Sequence, residues 1–99
     1  MRVSQLMPYS TDTAKSFYGK ALLIEDDPFI LLQSYDTIVA MYNKDKRNVI
    51  IKGYFSMTTG RHIKSFLEYL GVRVDHLMVK YKCRSFKQLV ENHMEFYLE

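Results

Sequence analysis

A chain of 99 residues, 47% hydrophobic and 25% charged, has the length of one small domain and enough apolar side chains for a modest core without disulfide staples. Its single cysteine, Cys83, excludes an intramolecular disulfide and leaves a thiolate zinc site short of ligands, which fits a reducing, cytoplasmic setting. The net charge of +3 is unevenly spread: eleven Lys or Arg stand against three acids from Thr37 to Leu89, while acids gather earlier (Asp12, Glu25, Asp26, Asp27, Asp36) and at the end (Glu91, Glu95, Glu99).

Residues 1–15, with Pro8 and several Ser and Thr, show no sustained periodicity and are expected to form an irregular N-terminal arm, followed by a single domain over residues 16–99. Ser16 to Glu25 is rich in aromatic and branched residues and stops at Asp26-Asp27-Pro28, a turn combination, so it reads as a first strand. Phe29 to Tyr42 is long for one strand, which predicts a bulge or bend near Ser34-Tyr35-Asp36. A polar loop over Asn43 to Asn48 leads into Asn48 to Phe55, where Val49, Ile51, Gly53 and Phe55 alternate with Ile50, Lys52 and Tyr54. These pieces make a three-stranded antiparallel meander.

From Ile63 the period changes to that of a helix, because Ile63, Phe66, Leu67 and Leu70 fall on one stripe. Thr58 or Thr59 is expected to cap its start and Gly71 to end it. Val72 to Cys83 is ambiguous: Val79, Tyr81 and Cys83 alternate with Lys80, Lys82 and Arg84 as an edge strand would, whereas Asp75 with Leu77, Met78 and Tyr81 would open a short helix. The strand is the preferred reading. Ser85 and Gln88 have capping-box spacing, so a C-terminal helix is expected through Leu89, Val90 and His93 to Phe96 or Tyr97. The fold class is therefore α+β, a three- or four-stranded antiparallel β-sheet (meander) followed by a helix and a C-terminal helix. No apolar run approaches the roughly 20 residues that span a bilayer, and the first residues lack an apolar signal region, so a soluble, non-exported chain is expected.

Chemistry, if present, would sit in the run Tyr54 to Ile63. Asp36, Ser56, Thr58, Thr59, Arg61 and His62 would converge if the second and third strands pair in front of the helix, with His62 as acid or base and Arg61 facing developing negative charge, as in a small nuclease. The plainer account has the threonines capping, Asp36 holding Arg61 or the helix N-terminus, and His62 packing. That account is preferred, so no catalytic set is expected. His62, His76 and His93 lie on different elements without the short spacing of zinc ligands, and no P-loop or dinucleotide fingerprint is present; neither metal nor cofactor is expected.

Binding is the better prospect. Lys80, Lys82, Arg84 and Lys87 with Tyr81 interleaved, joined by Arg73 and by Lys44, Lys46 and Arg47 on the hairpin loop, have the composition of a phosphate-tracking surface with a stacking aromatic. On a solvated edge strand the same lysines would discourage sheet-to-sheet pairing. Eight Tyr and six Met suit protein interfaces, and a small sheet with two helices leaves an edge and a face that a homodimer or another partner would cover.

Four pieces of the chain stand out in order: Ser16-Phe17-Tyr18-Gly19-Lys20-Ala21, then Ser34-Tyr35-Asp36-Thr37 with Val39-Ala40, then Ser56 with Thr58-Thr59-Gly60-Arg61-His62-Ile63, then Phe66-Leu67. Together they resemble a family of small uncharacterised proteins of phages, prophages and plasmids that carry a domain of unknown function. The match runs from about Ser16 to Gly71; the arm and the segment after Gly71 look particular to this member. The resemblance implies a mobile-element origin and an α+β domain but no reaction or cofactor. The expected function is thus a small non-enzymatic accessory protein that binds a host or defence-system protein, an anti-CRISPR-like inhibitor being one form. Direct nucleic-acid binding through the basic residues 73–87 is the alternative, and a nuclease around His62 and Arg61 comes third. The expected binding residues are Arg61, His62, Arg73, Lys80, Tyr81, Lys82, Arg84 and Lys87.

Overall fold

The structure, a computed structural model, describes residues 1–9 and 15–98. Asp12, Glu99 and the middle of the expected arm lie outside the described residues. Six strands run in chain order across one antiparallel sheet: β1 (Arg2–Gln5), β2 (Ala21–Asp26), β3 (Phe29–Ser34), β4 (Thr37–Asn43), β5 (Asn48–Ile51) and β6 (Glu95–Tyr97). Between β5 and β6 come three helices, α1 (Met57–Tyr69), α2 (Val74–Lys80) and α3 (Phe86–Asn92). The α+β meander is as expected, but the described residues hold more strands and helices than the sequence suggested.

Each added element has a local cause. The start of the expected irregular arm is a strand, because Arg2 to Gln5 pair with Glu25 to Leu22 and the next residue, Leu6, is buried at 2% exposure. Residues 16–20 are not strand; Tyr18 (φ 54°) and Gly19 (φ 76°) take left-handed backbone and turn the chain into β2. The bend expected near Ser34-Tyr35-Asp36 is a full hairpin, with Tyr35 at φ 55° between the paired Ser34 and Thr37. The bulge lies beside it, at Leu32/Gln33. The β4–β5 connection is set by Asn43, whose Oδ1 accepts from the backbone N–H groups of Asp45 (2.9 Å) and Lys46 (3.2 Å). The expected strand Asn48 to Phe55 stops at Ile51.

Ser56, not Thr58 or Thr59, caps α1: its side chain accepts from the Thr59 N–H at 3.1 Å. Gly71 ends the helix as expected, at φ 91°, with its N–H on the Glu68 carbonyl and the Val72 N–H on the Leu67 carbonyl, a Schellman motif. The preferred strand over Val72 to Cys83 is instead helix α2, so the helical alternative opened by Asp75 is the one adopted. Lys82 takes the left-handed position after α2 (φ 56°), and the bonds Lys82 N–H to Val79 and Cys83 N–H to Met78 repeat the same motif. The expected capping box at α3 forms in part: the Gln88 N–H donates to Ser85 Oγ, while Gln88 Oε1 accepts from Arg84 N–H, one residue earlier than the usual pattern. The C-terminal helix does not reach Phe96. It stops at Asn92, and the chain turns extended so that Phe96 pairs with Val49 and buries on the sheet's inner side. Burying a Phe side chain contributes about 1.5–3 kcal/mol, more than a frayed last helical turn would return.

All the helices share one side of the sheet. Ala21, Leu23, Ile30, Leu32, Ala40, Val49, Ile51 and Phe96 point inward and meet Ile63, Phe66, Leu67, Val74, Leu89 and Val90 in one core. Gly60 is fixed by a close approach: a Cβ there would stand 2.6 Å from Cζ of the Tyr54 ring, itself 6.5 Å from the Phe86 ring. Glycine lets the chain leaving β5 fold over the first turn of α1. Replacing Gly60 by Ala should therefore destabilise the protein by about 1–3 kcal/mol in urea unfolding despite alanine's helix propensity, and Tyr54→Leu should recover part of that loss.

Candidate functional site

The polar run at the start of α1 resolves into a buried junction. Thr59 and His62, three residues apart, share one side of the helix and both reach Ser34, the last residue of β3. Ser34 Oγ lies 2.8 Å from His62 Nδ1 and 3.0 Å from Thr59 Oγ1. One hydroxyl has one proton and two lone pairs, so Ser34 can serve both neighbours with either imidazole tautomer: it donates to Nδ1 or accepts from Nδ1–H. Phe17 closes the junction edge-on to the His62 ring at 4.5 Å and 64°, and the Tyr35 ring lies 5.8 Å away. The backbone adds a link, since Tyr35 N–H donates to the Lys20 carbonyl at 2.8 Å. The pieces that carry the family resemblance, around Phe17, Ser34 and His62, thus meet in space.

A Ser–His contact of this length is what a nucleophile and its base need, but access decides the chemistry. Ser34 is 3% exposed, Thr59 6% and His62 1%. The surface hollow between α1 and α2 lies elsewhere, lined by Tyr9, Lys64, Glu68, Arg73, Asp75 and Met78. The junction locks helix to sheet. The hairpin residue that meets the helix is Ser34 rather than Asp36, which is exposed in the turn. Arg61 sits on the exposed side of α1, so neighbouring Arg61 and His62 face different environments and His62 does not reach a macromolecular surface. Ser34 and Phe17 were missed as partners of His62; their one sequence signal was membership of the same motif set.

The other expected residues cluster on α2, α3 and the link between them. Arg73 precedes α2 with its Nε 3.6 Å from Asp75 Oδ1, both exposed. Lys80 sits in the last turn of α2, where the helix dipole favours a cation. Lys82, Arg84 and Lys87 are exposed on the link and the first turn of α3. Tyr81 is stacked on the His93 ring at 4.0 Å and 27°, with the Lys80 ammonium 5.4 Å from its centre. One face of that ring is therefore taken, while Tyr81 as a whole is 37% exposed. Among the described residues no group of three His, Cys, Asp or Glu is placed to hold a metal ion, and no helix is long and apolar enough to cross a membrane.

Of the hairpin-loop cations, Lys44 is tied to Asp27, with Nζ 2.6 Å from Oδ1. The hydrogen bond from Lys44, and then its charge, hold the Asp27 carboxyl below the usual carboxylate range. A carboxyl depressed on folding adds stability above its unfolded pKa and loses it as pH falls through the folded value. The pair is exposed, so the contribution is small and confined to acid. The Asp27 carboxyl carbon should titrate below an ordinary Asp by NMR and return to the ordinary value in Lys44→Gln, with stability unchanged between about pH 5 and 8.

No curated protein and no solved structure matches this chain. A family model, that of the family of unknown function DUF8033, matches residues 4–78. The match extends on both sides of the Ser16–Gly71 stretch, so most of the N-terminal segment and α2 up to Met78 belong to the shared domain rather than to this member alone. The link from Lys80 to Lys87, α3 and β6 fall beyond it. With the match covering about three quarters of the sequence and enclosing the whole Phe17–Ser34–His62 junction, the chain belongs to the DUF8033 family of unknown function.

Proposed function

We propose that the protein is a non-enzymatic binding module that engages the acidic surface of another protein through the basic link between α2 and α3. The observation that carries this reading is Lys82. Its backbone is left-handed (φ 56°), where glycine is the default and a lysine costs about 1 kcal/mol, and its exposed side chain stands between Lys80 and Arg84. Arg84 and Lys87 continue the charge across the start of α3, and most of this surface lies outside the family match. Such a surface suits a property particular to this member.

A protein partner is preferred to nucleic acid because Tyr81, the aromatic interleaved with the basic residues, already has one ring face packed on His93, which leaves it less to offer a stacking base. Phosphate contacts by Lys80, Lys82, Arg84 and Lys87 alone would still give salt-dependent binding to nucleic acid, which is the alternative. An origin in a phage or other mobile element, and an anti-defence role such as inhibition of a CRISPR complex in the host cytoplasm, belong to this proposal. They rest on the resemblance together with small size and charge segregation. Enzymatic activity is not part of it, since the Ser34–His62 pair is sealed in the core.

Two variants test the reading. Lys82→Gly should raise stability by about 0.5–1 kcal/mol while weakening capture of a stoichiometric partner from host lysate, a separation that a purely structural lysine would not give. Lys80→Glu with Arg84→Glu should weaken capture at least about tenfold. If both variants hold the partner as the parent does, the basic link is not the binding surface. If the captured species is DNA or RNA and its affinity falls steeply with salt, the nucleic-acid alternative replaces the protein one.

A further inference from the structure

The chain between β5 and α1 makes a strained turn that puts an aromatic ring in water. Ser56 N–H donates to the Tyr54 carbonyl at 2.9 Å across Phe55, whose φ is 66°. A three-residue turn closed in this way at positive φ is the rare, strained form of the γ-turn, and a bulky residue at its centre is an outlier. Phe55 is nevertheless 60% exposed, and the next apolar residue, Met57, is 75% exposed. Burial therefore does not account for the phenylalanine. Neither does helix capping, which Ser56 supplies. The ring is held in place, because a Cβ added at Gly53 would stand 3.5 Å from Phe55 Cε2, so the ring lies along the glycine backbone. Backbone strain of this kind concentrates at sites that clamp a ligand or a partner.

Tyr54 brings the turn next to the start of α3, with its ring 6.5 Å from that of Phe86. Between turn and helix lies a shallow, open hollow of about 430 Å³, lined by Tyr54, Phe55, Ser56 and Met57 on one side and by Lys87 and Glu91 on the other. Lys87 is also the last cation of the basic link, so the hollow and the link form one surface. We infer that the partner of the basic link carries an apolar side chain beside its acidic residues and seats it on Tyr54, Phe55 and Met57. This rests on the basic-link reading and adds the part of the surface that charge does not supply. Geometry and charge select the occupant. The volume is near the lower end of the range of about 300–1,000 Å³ for ligand pockets, and an open mouth suits one or two side chains of a larger molecule better than an enclosed small ligand. Lys87 stands at the link end of α3 and Glu91 one turn further on, so an acid is favoured at the first end only. A nucleic-acid strand running from the link into the hollow would bring a phosphate against Glu91. A peptide can change from acidic to apolar within two or three residues, each about 3.3 Å when extended. Phe55 and Met57 fall inside the family match, so the apolar seat lies in the shared domain and the cations beside it lie mostly beyond.

Selection of random displayed peptides against the full chain tests the inference. Enriched sequences should join two or more Asp or Glu to a Phe, Trp, Leu or Met within about three residues. Titration with one such peptide should shift the backbone amide signals of Gly53 to Thr58 together with those of Lys82 to Lys87 in NMR spectra. Phe55→Gly should weaken binding of that peptide at least about tenfold. Its urea midpoint should be no lower than the parent's, because glycine takes the positive φ without strain. Enriched peptides that carry acids alone, or a Phe55→Gly variant that binds as the parent does, would overturn the inference and leave the basic link standing as the binding surface. Peptides enriched for apolar residues without acids would overturn the basic-link reading along with it. So would a selection that enriches nothing, and so would signals that move only elsewhere on the molecule. The selection and the mapping use the unaltered chain, so they decide the matter whatever the variant does.

Discussion

The shared hydrogen bonds of Ser34, Thr59 and His62 fasten the first helix to the sheet. Ser34 is the last residue of β3, immediately before the hairpin, and the two helix residues that meet it lie one turn apart near the start of α1. These polar groups are buried together and satisfy one another; leaving one without its partner would cost about 1–3 kcal/mol. The contact fixes both the register of α1 along the sheet and its rotation, which in turn aims Ile63, Phe66 and Leu67 into the core. Phe17 and the Lys20–Tyr35 backbone bond bring the turn before β2 to the same place. Once α1 is set, the Schellman turn at Gly71 sends the chain into α2 and α3, and β6 closes the far edge against β5.

This frame separates architecture from binding. Serine, histidine and threonine at bonding distance resemble catalytic equipment, yet here they act as a dry lock between layers. The exposed surfaces differ in character: a basic link between two short helices, and a sheet face on which Val3, Ile50 and Tyr97 are exposed.

The sequence reported the local decisions well and the long-range ones poorly. Three strands were expected where β2–β5 are four, with β3 and β4 read as one bent strand, but the antiparallel meander itself, the helix stripe from Ile63, the glycine stop at Gly71 and the Ser85 cap were legible because each depends on neighbours within a few residues. The outer strands were not. Arg2 to Gln5 and Glu95 to Tyr97 are too short to show a period, and each becomes a strand only because an adjacent edge offers hydrogen bonds and, for Phe96, a buried place. Residues 74–80 have the alternating basic pattern at their end that suggested a strand, but packing of Val74, Leu77 and Met78 against the core favoured a helix. In the junction, His62 and Thr59 were visible as a polar cluster, whereas Ser34 was hidden behind the more conspicuous Asp36. On β3 burial alternates without a break through Ile30, Leu32 and Ser34, so the serine's inward facing follows from period two; that it meets His62 and Thr59 depends on where α1 packs, which no local pattern encodes.

The central claim is that the polar cluster is structural, so it is tested most directly by the energetic coupling of Ser34 and His62 to folding. Urea unfolding of Ser34→Ala, His62→Phe and the double variant completes a double-mutant cycle. The predicted result is that each single change destabilises, and that together they cost less than the sum by at least about 1 kcal/mol, because the second change removes a group the first had left unpaired. Additive effects within about 0.5 kcal/mol would contradict the account. So would single variants as stable as the parent.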